Sequence, residues 1–66
     1  MSDEEIVKKC NDLARTFYQA YGYEAPEDFK FYNSRHPQEL SMWELAVIAY
    51  DHIAQTDVAE ILRYLE

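Results

Sequence analysis

The segment spanning residues 37–54 constrains this chain more than any other, because read as a helix it is apolar on more than one side. Advancing about 100° per residue from Trp43 gathers Leu40, Trp43, Ala46, Val47, Tyr50, Ile53 and Ala54 onto one broad stripe. Leu45, Ile48 and Ala49 fall on the opposite side. A helix on the outside of a lone small domain keeps that opposite side polar. The segment is therefore expected to be either central to its own fold or shared with another chain.

The chain has 66 residues, enough for one domain and a modest core. Cys10 is the only cysteine, so no disulfide forms within the chain. A single thiol on the apolar side of a helix, in a sequence that shows no signal peptide, fits a reducing compartment, and a cytoplasmic location is expected. Without a histidine or basic cluster beside it, Cys10 reads as a small buried hydrophobe rather than a nucleophile.

Thirteen acidic against six basic side chains give a net charge of −7. That sign disfavours direct binding to nucleic-acid phosphates or anionic lipid, so the expected partners are proteins or a second copy. The longest unbroken apolar run, Leu45 to Tyr50, is far too short to span a membrane, and no basic amphipathic stretch offers an anchor.

Three helices are expected. Ser2, followed by Asp3, Glu4 and Glu5, has capping-box spacing and places acids at the positive end of a helix dipole. The first helix should run from about residue 3 to 21. Its stripe is Ile6, Cys10, Leu13, Phe17 and Tyr21, flanked by Val7, Ala14 and Tyr18, with Lys8, Asp12, Arg15 and Gln19 facing out. Gly22, the only glycine, stands where a left-handed residue closes a helix.

Residues 23–36 contain Pro26, Asn33 and Ser34 but also Tyr23, Phe29, Phe31 and Tyr32. That composition predicts an ordered connection packed on the core by its rings, with either one helical turn from Pro26 to Phe29 or a short strand from Phe29 to Tyr32. The second helix begins at Ser34 or His36, with Pro37 tolerated in its first turn, and ends near Ala54 or Gln55. Thr56 or Asp57 caps a third helix that carries Val58, Ile61, Leu62 and Leu65 on one stripe. The fold class expected is all-α: a compact three-helix domain, residues 1–66, with the second helix between the other two.

No pattern of catalytic or metal-binding residues emerges. His36 and His52 lie sixteen positions apart without the spacing of a zinc motif, so His36 reads as a capping or loop residue and His52 as a surface or interface residue. Glu44 and Asp51 share a helix side about 10 Å apart along the axis, and read as solvated carboxylates bordering the stripe. Glu44 is also within reach of pairing with Arg35 or Lys30. Ser34, Ser41 and Thr56 stand in no nucleophile elbow, and one glycine cannot build a phosphate-binding loop. No enzyme activity, cofactor or metal is expected.

Six tyrosines among the aromatic residues remain to be explained. Phe17, Trp43 and Tyr50 suffice to anchor a small core, which leaves some of Tyr18, Tyr21, Tyr23, Phe31, Tyr32 and Tyr64 at or near the surface. Either the domain is too small to hide them, or they belong to an interface, where tyrosine is favoured.

The run Arg35-His36-Pro37-Gln38-Glu39, with Trp43, Ala46-Val47, His52-Ile53 and Thr56-Asp57 after it, resembles small acidic proteins of unassigned role encoded by bacteriophages and prophages. The resemblance covers the second half of the chain and implies a bacterial or phage cytoplasmic setting and an accessory role. It supplies no catalytic residues. The expected function is a non-enzymatic protein-interaction module that self-associates or docks on a protein through Leu45, Ile48, Ala49 and His52, with Tyr18 and Tyr32 at the rim. The alternative is an acidic mimic of nucleic acid that inhibits a DNA-binding protein. The acids, however, are spread over several faces rather than set in an ordered row.

Overall fold

Ser2 opens the first helix as its sequence position requires: the Glu5 amide donates to Ser2 Oγ at 3.3 Å. In the computed structural model, which describes residues 2–65, this helix, α1, runs Asp3–Ala20. It closes through a double hydrogen bond, Gly22 N–H to the Gln19 carbonyl at 2.9 Å and Tyr23 N–H to the Tyr18 carbonyl at 3.2 Å. Gly22 adopts φ 89°, the left-handed region that a side chain would strain. The apolar contact that accompanies such a closure is aromatic here, with the rings of Tyr18 and Tyr23 stacked at 5.1 Å.

The connection is ordered by side chains of α1 rather than by regular structure of its own. Asn11 and Arg15, one helical turn apart, reach across to it. Asn11 Nδ2 donates to the Phe29 carbonyl at 2.8 Å and its Oδ1 accepts the Phe31 amide at 2.7 Å. Arg15 donates to the carbonyls of Ala25 at 3.0 Å and Glu27 at 2.7 Å. Four backbone groups that a strand or helix would have paired are thereby satisfied. The expected helical turn at Pro26 is a single turn closed by Phe29 N–H on the Pro26 carbonyl, and a short 3-10 turn follows at Phe31–Asn33. The alternative strand from Phe29 to Tyr32 is not formed, and the described residues contain no strand.

The second helix, α2, spans Pro37–Ala54, and the third, α3, spans Val58–Leu65. His36 is the N-cap of α2 through its backbone; its imidazole makes no capping bond. Glu39 does the side-chain work there, accepting the Ser34 hydroxyl and, at 3.4 Å, the Tyr18 hydroxyl. At the far end Gln55 turns the chain with φ 56° and ψ 47°, and Asp57 Oδ1 caps α3 by accepting the Glu60 amide at 3.2 Å. Tyr18, late in α1, meets Glu39 at the start of α2. The charge of Asp51, late in α2, acts on Cys10 in the first half of α1. The two helices therefore run antiparallel.

The fold is all-α, a three-helix domain of 30 × 23 × 19 Å with an aromatic connection between the first two helices. Its core is Ile6, Val7, Cys10, Ala14, Tyr18, Phe31, Met42, Trp43, Ala46 and Val58. Three expectations are corrected. The second helix does not lie between the other two: all three pack on one another, α1 and α2 most extensively, and α3 rests more on α1 than on α2. The buried arc of α1 is turned toward Val7, Ala14 and Tyr18, leaving Leu13 and Phe17 half-buried and Tyr21, at the helix end, exposed. On α2, Met42 is buried, whereas Ile53, in the last turn, is 83% exposed. No described helix is long and apolar enough to cross a membrane.

Candidate apolar docking site

Because α1 and the connection cover one side of α2 and α3 only an edge, the remaining side of α2 stays open. Leu45 is 45% and Ile48 65% exposed. Ala49 is half-buried and His52 exposed. Between this face and α3 lies a groove of about 430 Å³, lined by Leu40, Trp43, Glu44, Val47, Ile48, Ala59 and Leu62. Six of those seven side chains are apolar, so the groove offers contact area and one carboxylate at its edge.

Trp43 fixes the floor. Its ring packs at 5.1 Å on that of Tyr32, which the 3-10 turn presents to it. The other wall is set by Asp51, whose Oδ1 accepts the Thr56 hydroxyl at 2.8 Å and the Val58 amide at 3.0 Å. Asp51 is thus a link between helices, which corrects its reading as a solvated border residue. Glu44 is exposed as expected. The ion pair found among the described residues joins neither Arg35 nor Lys30 to it; it is Lys8 with Asp12 at 3.6 Å, on the surface of α1.

The expected interface residues are only partly brought together. Leu45, Ile48, Ala49 and His52 share a side of α2. Tyr18 does not stand at its rim: it is 8% exposed and packed edge-on against Phe31 at 5.4 Å. Burial, followed by the nearby Glu39 carboxylate, raises its hydroxyl pKa. Tyr32 is half-buried under Trp43, while Tyr21, Tyr23 and Tyr64 are the exposed tyrosines. Of the six rings from which some surface ones were expected, Phe31 is fully buried, and Asn11 holds the backbone on both sides of Lys30 beside it. The contribution of Ala59 and Leu62 to the groove was not foreseen; its one sequence signal is a small residue three positions before Leu62 on α3.

A second hollow, about 450 Å³, lies between α1 and the connection, where Glu4, Asp12, Glu27 and Asp28 share the lining with Lys8 and Lys30. Both signs of charge are present, so it presents no uniform acidic surface. Cys10 is fully buried, and burial, with Asp51 second, pushes its thiol up to about 11. Among the described residues no three His, Cys, Asp or Glu side chains gather as metal ligands. Compared with protein-family models, curated proteins and solved structures, the chain matches none.

Proposed function

We propose that this chain is a small non-enzymatic interaction module that associates with protein through the open face of α2 and the groove beside it. The observation that carries the reading is the exposure of Leu45 and Ile48 next to a groove lined almost wholly by apolar side chains. Fully covering a Leu or Ile contributes about 1.5–3 kcal/mol, and these two retain roughly half or more of that for a partner. For a domain this small, such a contribution matters to stability as well as to binding. An accessory role in a bacterial or phage cytoplasm belongs to the same proposal and rests on the sequence resemblance alone.

The test is capture from a bacterial lysate on immobilised protein at low and high salt, with Ile48→Glu alongside. The expected result is retention that resists salt and is lost in the variant, since apolar contact is not screened. Retention that vanishes with salt and ignores Ile48→Glu would instead favour imitation of nucleic acid.

A further inference from the structure

We infer that the occupant of the open α2 face is a second copy of this chain, seated along an uncharged seam that follows the helix; the inference rests on the interaction reading above. Gln38, Ser41, Leu45, Ile48 and His52 succeed one another along α2 at spacings of 3, 4, 3 and 4. Alternating steps of three and four keep residues on one line of a helix that meets a neighbouring helix side by side. The line points away from the buried Trp43 and Ala46, and all its members except half-buried Gln38 are exposed.

Charge selects the occupant. None of the five is Asp, Glu, Lys or Arg, in a chain where 29% of residues are. On one edge stands Glu44, while Asp51, the next acid on that edge, is held by Thr56 and Val58 of its own chain. On the other edge are Met42 and Ala49. A basic partner helix would find few carboxylates to pair with along such a line. Two copies, each of charge −7, repel through most surfaces and can approach closely only where neither brings a charge to the contact. With its apolar pair in the middle and neutral polar residues toward both ends, the seam is complementary to itself under two-fold symmetry. Two large apolar residues per copy make a small contact, so the dimer is weak and reversible.

The experiment is sedimentation equilibrium of the intact protein from micromolar to millimolar concentration, in low and high sodium chloride, with four variants. The mass should rise from monomer toward dimer with concentration, and high salt should tighten the dimer several-fold by screening the like charges. Ile48→Glu and Leu45→Glu should each weaken it by about tenfold or more, Glu44→Gln should tighten it, and Ile53→Glu, which alters an exposed apolar residue off the seam, should leave it unchanged. Circular dichroism of dilute samples checks that each variant keeps the fold. A wild-type monomer at millimolar concentration in both salts overturns the proposal, as does a dimer indifferent to Ile48→Glu or weakened equally by Ile53→Glu. If the protein stays monomeric while Ile48-dependent, salt-resistant capture persists, only the second-copy occupant is wrong. If Ile48→Glu alters neither mass nor capture, the interaction reading fails with it.

Discussion

Asp51 and Val58 are joined across the α2–α3 turn by a hydrogen bond of 3.0 Å from the Val58 amide to the Asp51 carboxylate, which also holds the Thr56 hydroxyl. Val58 is the first residue of α3 and fully buried, so the carboxylate meets the positive end of that helix at the point where it enters the core. Asp51→Ala removes the acceptor from both donors and should cost about 1–3 kcal/mol. Asp51→Asn, which keeps one carbonyl oxygen, should cost less. Urea denaturation gives the size of the effect, and hydrogen exchange should show protection lost first in α3. Equal protection in the variants and the parent would mean that Val58 packing alone retains α3.

Gln55 ends α2 with a left-handed backbone, φ 56°, the one described non-glycine residue that does so. A side chain in that region is strained, and glycine relieves the strain while adding freedom to the unfolded chain. Gln55→Gly should therefore stabilise the protein by about 0.5–1 kcal/mol, a rise of several degrees in melting temperature for a domain of this length. Thermal unfolding of dilute protein checks it. A lower melting temperature would show that the Gln55 side chain contributes more than its conformation costs.

Much of the fold was legible because local signals agreed with one another. Ser2, Gly22, Pro37 and Asp57 each stand at a helix boundary for a reason carried by the residue itself: a capping oxygen, a free φ, or a missing amide. What the sequence could not convey were choices made by partners distant in the chain. The arc that α1 buries is rotated from the periodic stripe because Tyr18 packs on Phe31 and bonds to Glu39, twenty-one positions away. Ile53 lies on the apolar stripe of α2 yet is exposed, since periodicity records direction around a helix and not whether a neighbour extends that far. The open face was readable from Leu45 and Ile48, because no arrangement of two short helices covers all sides of a third. The groove needed α3 in place, and a carboxylate that reads as solvated is what puts it there.

Asn11 and Arg15 stand in for a pairing strand, and their removal should loosen the connection before the helices. Asn11→Ala leaves the Phe29 carbonyl and the Phe31 amide without their partner in a part-buried setting, at a cost of about 2–3 kcal/mol. Asn11→Asp keeps an acceptor for the amide but sets a carboxylate against the carbonyl, and should be no better. Arg15→Ala, whose bonds lie nearer the surface, should cost about 1 kcal/mol. Chemical denaturation ranks the three, and Trp43 fluorescence reports whether Tyr32 still packs on its ring. If Arg15→Ala were the more damaging, the anchor of the connection would be at Ala25 and Glu27 rather than at Phe31.

Cys10 gives the protein a predictable response to alkali. Burial, with the Asp51 carboxylate second, moves its thiol from 9.0 up to about 11. The unfolded chain releases this proton at lower pH than the folded one, so between those values the native state binds more protons. The stability contributed by the neutral thiol is thus fully present below about pH 9 and falls as pH rises toward 11. Urea midpoints across that interval should drop more steeply for the parent than for Cys10→Ala, which shares every other titrating side chain. Alkylation should follow the same logic: a fully buried, protonated thiol reacts only through opening of the α1–α2 contact, so the native protein at pH 8 should label far more slowly than the unfolded chain. Parallel pH slopes together with prompt labelling would place Cys10 in water, and the packing of α1 against α2 would then have to be looser than the full burial of Cys10 implies.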